Sequence, residues 1–190
     1  MIKQPFGENR QEATKVDTAP RSATQHSIGT VQNKQEQTQT NQKEKIMIEQ
    51  DTIKLLRECD AGVKMGISSI EDVIDYVGDK GLKDSLNKCK DKHEELATRI
   101  EHLLDKYHDD GKAPNPIAKG MSWMKTNMKL MMNESDATIA DLMTEGCNMG
   151  VKSLNMYLNQ YEAADEHAKN ITKDLIRIED DLVKEIRKYL

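Results

Sequence analysis

The sequence lacks any run of about 18 or more apolar residues, so we expect no segment that spans a membrane. After the first lysine it also lacks the apolar core of about 7 to 15 residues that is typical of an export signal. There are three cysteines, Cys59, Cys89 and Cys147, and no two of them form a CxxC pair. Together these absences favour the reducing cytoplasm, where thiols on apolar helix faces behave as small hydrophobic groups.

Several signatures of catalysis and of nucleic-acid binding are missing as well. The sequence contains no Gly-rich phosphate loop, no GxSxG elbow, no HExxH motif and no EF-hand loop. It has one Trp and no stripe rich in Arg and Lys. Because release of counterions from phosphates requires clustered positive charge, we do not expect nucleic acid as a partner.

The first 46 residues differ in composition from the rest of the chain. They hold eight Gln, many Thr and Asn and one Phe, with no apolar periodicity. Such a segment cannot bury enough surface to offset the entropy of ordering it. We therefore predict a disordered polar tail over 1–46 and a folded domain over 47–190. The tail has seven Lys/Arg against five Asp/Glu, so its net charge is +2. Because the whole chain has a net charge of −5, the domain over 47–190 carries −7.

Residues 47–190 carry four apolar stripes with alternating steps of three and four, the spacing that keeps one side of a helix against a partner. We predict helices over about 51–77, 82–107, 136–161 and 164–189, and no strand-like alternation competes with them. Asp136 is the expected N-cap of the third helix. The first two stripes are Ile53, Leu56, Asp60, Val63, Ile67, Ile70, Ile74, Val77, and Leu82, Leu86, Cys89, His93, Leu96, Ile100, Leu103, Tyr107.

The connections between the predicted helices are unequal in length. Helices one and two, and helices three and four, are joined by a few residues and must form antiparallel hairpins. The link from His108 to Ser135 is long enough to travel the length of the bundle. The predicted fold is therefore all-α: a ferritin-like antiparallel four-helix bundle with one long crossover.

The crossover contains an amphipathic pattern of its own, with Lys119, Lys125 and Lys129 between its apolar residues. It predicts a short helix that either packs on the bundle and closes the core or forms a docking surface, since flexible thioethers adapt to different partners. Attachment to a membrane surface is a third, weaker alternative. The candidate interaction residues are Met121, Trp123, Met124, Met128 and Met131.

Several short strings in the chain look familiar: Asp60-Ala61-Gly62, Trp123-Met124, Lys129-Leu130, Asp136, Ile139, Glu145-Gly146 and Tyr157. Through them the chain resembles uncharacterised bacterial ferritin-like four-helix domains. The similarity covers residues 50 to 190 and leaves out the tail. It implies the same four-helix fold.

Ferritin-like proteins with two metal ions need a Glu from each of two helices and a Glu-x-x-His motif from each of the other two. Here His93 follows Lys90 at that spacing, so the motif is absent. The fourth helix turns Leu175 and Leu182 inward, and we expect Glu179-Asp180-Asp181 to be a solvated side face. A complete dinuclear site for iron or manganese is therefore not predicted.

Asp60 and His93 remain as polar residues on the apolar stripes, and both are weak candidates for metal ligands. If the first two helices meet through a turn centred near residue 79.5, Asp60 faces Arg99 and His93 faces Gly66. We expect Asp60 to pair with Arg99 or with the helix end of a neighbour, because an unpaired buried carboxylate is costly. Gly66 should make room for the imidazole.

The predicted function is that of a non-catalytic structural or protein-interaction bundle. The alternative is a metal-binding oxidase or a metal-storage protein that uses Asp60 and His93 for iron or manganese. A homo-oligomer or a protein partner is expected, because further apolar residues flank the stripes. These flanking residues are Leu55, Val73, Leu104, Leu142 and Val183.

Overall fold

A computed structural model of the chain describes residues 25–111 and 135–190, with side chains described from residue 37 onward. Within these ranges the chain is helical and has no strand, which confirms the all-α prediction. The helices are α1 (Gln25–Val73), α2 (Lys80–Lys106), α3 (Asp136–Gln160) and α4 (Glu166–Ile186), with 3₁₀ turns at Ile74–Tyr76 and Arg187–Tyr189. The predicted crossover helix and its interaction residues Met121, Trp123, Met124, Met128 and Met131 lie outside the described residues.

The first helix begins well before the predicted start near Asp51. The chain divides into two compact units, Met1–Gln42 and Lys43–Leu190, and residues 25–42 of the first are helical. All side chains over 37–50 are exposed. Over 25–46 the chain is helical, and none of the side chains described over 37–46 is buried. Gln, Lys and Glu favour a helix locally even where no face is buried, so this segment has no core of its own to hold it. The disordered tail over 1–46 stays a prediction.

Contacts at the two ends of the bundle fix the directions of the helices in the second unit. At one end Thr52 of α1 accepts a hydrogen bond from the amide of Asp165 at 2.8 Å, and Tyr107, just past α2, donates to the Asp165 carboxylate at 3.3 Å. At the other end Asp79, which precedes α2, accepts from the Tyr189 hydroxyl at 2.7 Å. Both predicted hairpins, α1–α2 and α3–α4, are therefore antiparallel.

The start of α3 lies at the same end as the start of α2. The carboxylate of Asp136 accepts hydrogen bonds from the amides of Gly78 and Asp79 at 2.8 and 2.9 Å. Consequently α2 and α3 run in the same direction, and the connection between them joins opposite ends of the bundle. Ser135, and not Asp136, is the N-cap of α3, because the Asp136 carboxylate is engaged by the α1–α2 turn.

The predicted stripes form the core of the bundle, since Leu56, Val63, Leu86, Ile100 and Leu175 are among its fully buried residues. The expected apolar flanks belong to the same core. Leu55, Val73, Leu104 and Leu142 are buried, and Val183 packs partly against the core. They therefore do not provide a surface for self-association, because four packed helices bury a wider strip than one stripe each. No helix in the described ranges has an apolar stretch long enough to cross a membrane.

Candidate binding site

Asp60 is buried in α1, with 1% of its surface exposed, but it does not pair with Arg99 as expected. Its Oδ2 atom accepts from Lys64 at 2.8 Å on the same helix, and its Oδ1 atom has no hydrogen-bond partner. Arg99 lies on an exposed face of α2 and pairs with Asp174 at 3.4 Å. The prediction is wrong because a partner one turn away on the same helix is closer than one across the interface.

The chain just beyond α2 approaches Asp60 closely, while the expected pairing of Asp60 with a helix end stays a prediction. A β-carbon on Gly111 would lie 2.8 Å from Oδ2 of Asp60. Gly111 has a φ of +76°, a conformation that favours glycine, so the backbone beyond α2 can approach the carboxylate closely.

His93 in α2 is also buried, and its surroundings agree with the prediction. A β-carbon on Gly66 would lie 2.7 Å from both Cδ2 and Nε2 of the imidazole, which confirms that this glycine makes room for the ring. The Nδ1 atom lies 2.9 Å from the carbonyl oxygen of Cys89 and donates to it. Burial lowers the pKa of His93 below its usual value of 6.5, so the ring is neutral at pH 7 and Nε2 is an acceptor.

The two weak metal candidates do not come together. Asp60 and Gly66, which contacts His93, are six residues apart on α1, or about 9 Å along the helix axis. Among the described residues no group of three or more His, Cys, Asp and Glu side chains is arranged to hold a metal ion. The pair Asp60 and His93 therefore does not form a metal site by itself.

A cavity of about 240 Å³ lies between α1 and α3, and we call it the α1–α3 slot. Small residues line both of its walls: Ala61, Gly62, Gly66 and Ser69 on α1, and Gly146, Gly150 and Ser153 on α3. Cys89 and His93 of α2 and Glu179 and Leu182 of α4 form its floor. The slot exists because residues without long side chains leave space where two helices would otherwise be filled by Leu or Ile.

Glu179 is the polar group at the base of the slot, and this position corrects the expectation of a solvated side face. Only 7% of Glu179 is exposed, and its Oε2 atom makes no hydrogen bond. A β-carbon on Gly150 would overlap the carboxyl group, so the side chain points toward the α3 wall. Asp180 and Asp181 remain partly exposed, as helical geometry turns each residue by about 100° from the last.

Burial raises the pKa of Glu179 to about 8, and the charge of Asp180 adds to the shift, while the backbone of Val151 opposes it. The carboxyl group is therefore mostly protonated at pH 7 and can donate a hydrogen bond. Burial also raises the pKa of the Cys59 and Cys89 thiols to about 12. Cys147 is shifted upward for the same reason. The three thiols are not nucleophiles at neutral pH.

The sequence carried a signal for Glu179 that the stripe assignment missed. Glu179 lies four residues after Leu175 and three before Leu182, which places it on the same helix face as both. Gly150 on the facing stripe was the second signal, since a residue without a side chain leaves room for a longer one.

Comparisons of the chain with protein-family models, with curated proteins and with solved structures found no match. The resemblance to bacterial ferritin-like domains therefore stays a prediction.

Proposed function

We propose that the chain is a non-catalytic binding protein, built as a ferritin-like helical bundle without a complete dinuclear metal centre, and that the α1–α3 slot is its binding site. The observation that carries the proposal is the slot itself. It combines apolar walls, an opening between two helices and one buried carboxyl oxygen, Oε2 of Glu179, without a hydrogen-bond partner, which is the usual composition of a ligand site.

The direction of the helices supports the ferritin-like part of the proposal. Two antiparallel hairpins joined by a connection between opposite ends of the bundle are the arrangement of ferritin-like folds. A dinuclear centre requires carboxylates and imidazoles from four helices around one point, and the described part of the chain brings no three such side chains together, which supports a bundle without that centre. A location in the cytoplasm is part of the same proposal.

A homo-oligomer or a protein partner also belongs to this proposal. Large apolar side chains are exposed on α3 beside the slot, where Met149 is 63% and Met156 is 54% exposed. Exposed thioethers on a helix surface are typical of adaptable protein contacts. Light scattering on the full chain, alone and with Met149 and Met156 both replaced by Ser, measures whether this face contributes to self-association.

The test against the metal alternative is elemental analysis of the full chain purified without an affinity tag. We expect iron and manganese far below one equivalent per chain after dialysis. A stoichiometric amount of either metal that survives mild chelation would contradict the proposal and favour the alternative of an oxidase or a metal-storage protein. In that event the residues of the slot floor, His93 and Glu179, would be the first ligands to replace.

A further inference from the structure

We infer that the α1–α3 slot binds a small, neutral, mostly apolar molecule with one hydroxyl group, and that this hydroxyl group meets the carboxyl group of Glu179. The inference rests on the proposed binding function and adds the chemical class of the ligand. Its two supports are the size and lining of the slot and the missing hydrogen-bond partner of the Oε2 atom of Glu179.

The volume sets the size of the ligand. An apolar cavity of about 150 Å³ holds a benzene molecule. By the same measure the slot, at about 240 Å³, has room for an aromatic molecule of about nine or ten heavy atoms. Leu142, Met143, Leu154 and Ile70 supply apolar contacts along its length. A ligand of this size would therefore fill the slot and contact its apolar lining.

Glu179 at the floor of the slot determines which polar group the ligand should carry. The Oε2 atom of Glu179 is buried and makes no hydrogen bond to the protein. A hydroxyl group can accept from a protonated carboxyl group or donate to either of its oxygens, so it satisfies Glu179 in both directions. A wholly apolar ligand would leave the Oε2 atom without a partner, which costs free energy because this oxygen is itself buried from solvent.

The charges around Glu179 favour a neutral ligand. The titratable groups that interact with it are Asp180 on its own helix, Cys89 from α2, Cys147 from α3 and Cys59 from α1. The slot is also lined by Glu58 and by the neutral ring of His93, and none of its lining residues is a Lys or an Arg. An anionic ligand would therefore meet no opposite charge there. A cationic ligand would require Glu179 to ionise in apolar surroundings and would itself lose its hydration.

The experiment uses two probes that differ only by one hydroxyl group, 4-ethylphenol and ethylbenzene, titrated into the full chain at pH 7. Methyl NMR signals of the methionines report occupancy, since Met65, Met143 and Met149 line the slot. We expect 4-ethylphenol to bind about tenfold more tightly than ethylbenzene, the ratio that one net hydrogen bond provides. The anion 4-ethylbenzoate should bind at least tenfold more weakly than the phenol.

Two variants locate the binding. Gly146 lines the slot, and a β-carbon there would meet no atom within 4 Å, so Gly146→Leu fills the slot without a clash at the backbone. We expect it to reduce the affinity for both probes at least tenfold. Asn148→Leu is the matched control, because Asn148 is exposed on α3 and does not line the slot. It should bind both probes like the native chain.

Glu179→Met tests the hydroxyl group separately, because it keeps a long side chain and removes the polar atoms. We expect the tenfold preference for the phenol to disappear while ethylbenzene still binds. Equal affinities of the native chain for the two probes would overturn the ligand class but leave the binding function standing. Binding of neither probe would overturn the inference and leave the slot to a partner helix or a second copy. Unchanged binding by Gly146→Leu would overturn it too.

Discussion

Glu179 of α4 lies against Gly150 of α3 so closely that a β-carbon on the glycine would overlap its carboxyl group. The contact joins the two features that define the slot, a wall of small residues and a buried acid. It also explains why the acid is held where it is. With Gly150 in place the carboxyl group has space inside the bundle, and without that space it would have to move.

The substitution Gly150→Ala should therefore stabilise the fold less than a Gly to Ala substitution inside a helix usually does. Replacing Gly by Ala inside a helix normally stabilises by about 0.5–1 kcal/mol. At Gly150 this gain is opposed by displacement of the Glu179 carboxyl group from a packed site. We expect the free energy of unfolding of Gly150→Ala to be lower than that of Gly146→Ala by about 1 kcal/mol or more. Urea denaturation followed by circular dichroism measures the difference in the free energy of unfolding.

The matched control is the same pair of substitutions in a chain that also carries Glu179→Ala. Without the carboxyl group, Gly150→Ala and Gly146→Ala should stabilise equally, since neither β-carbon then meets an obstacle. A difference that persists in the Glu179→Ala chain would show that Gly150 is required for another reason.

Gly66 and Gly62 on α1 provide a second matched pair. A β-carbon at Gly66 would lie 2.7 Å from the His93 ring, whereas at Gly62 the nearest atom is Cδ2 of Leu175 at 3.7 Å, an ordinary contact. We expect Gly66→Ala to destabilise by about 1–2 kcal/mol, because the ring is held by its hydrogen bond to Cys89, and Gly62→Ala to stabilise. Thermal unfolding of both variants tests this prediction. Equal melting temperatures would contradict it.

The sequence predicted the helices, the apolar stripes and one specific contact across the bundle. A turn centred near residue 79.5 placed Gly66 opposite His93, and the structure places them together. The Gly66–His93 contact could be predicted because the α1–α2 turn is short and fixes the register of the two helices. The prediction of an Asp60–Arg99 pair from the same register was wrong, because a long flexible cation at a helix surface can pair with several carboxylates.

The slot could not be predicted in the same way. It depends on the spacing between α1 and α3, and no short turn joins these helices. In the sequence Glu179 belongs to the charge run Glu179-Asp180-Asp181, and such a run predicts a solvated helix face. Its burial follows from a feature of the opposite helix, the missing side chain of Gly150, so it required knowledge of which residues face each other across the bundle.

Asp136 should stabilise the end of the bundle where α2 and α3 begin. Its carboxylate accepts from two amides of the α1–α2 turn, so Asp136→Ala should destabilise by about 1–2 kcal/mol. Asp141→Ala is the control, because Asp141 is exposed on the same helix. Urea denaturation compares the two variants. If both variants lose the same small amount of unfolding free energy, the hydrogen bonds from Gly78 and Asp79 to Asp136 do not contribute to stability.

Glu179 should make the stability of the fold depend on pH. Burial raises its pKa from 4.5 to about 8, so between these values the folded chain keeps a proton that the unfolded chain has released. The free energy of unfolding contributed by this group must then fall as the pH rises through that range, by a few kcal/mol in total. Glu179→Gln, which cannot ionise, should lack this loss and gain in relative stability toward pH 8.

His93 makes the stability depend on pH in the opposite direction, so its contribution must be separated from that of Glu179. Because its pKa is lowered, the unfolded chain binds a proton that the folded chain does not, and stability is lost as the pH falls below about 6.5. Subtracting the native curve from the Glu179→Gln curve cancels this contribution, since both chains contain His93. Urea denaturation at pH 5, 6, 7 and 8 should give a difference that grows with pH. Parallel curves would show that Glu179 is not held protonated, and the hydroxyl-binding floor of the slot would lose its donor.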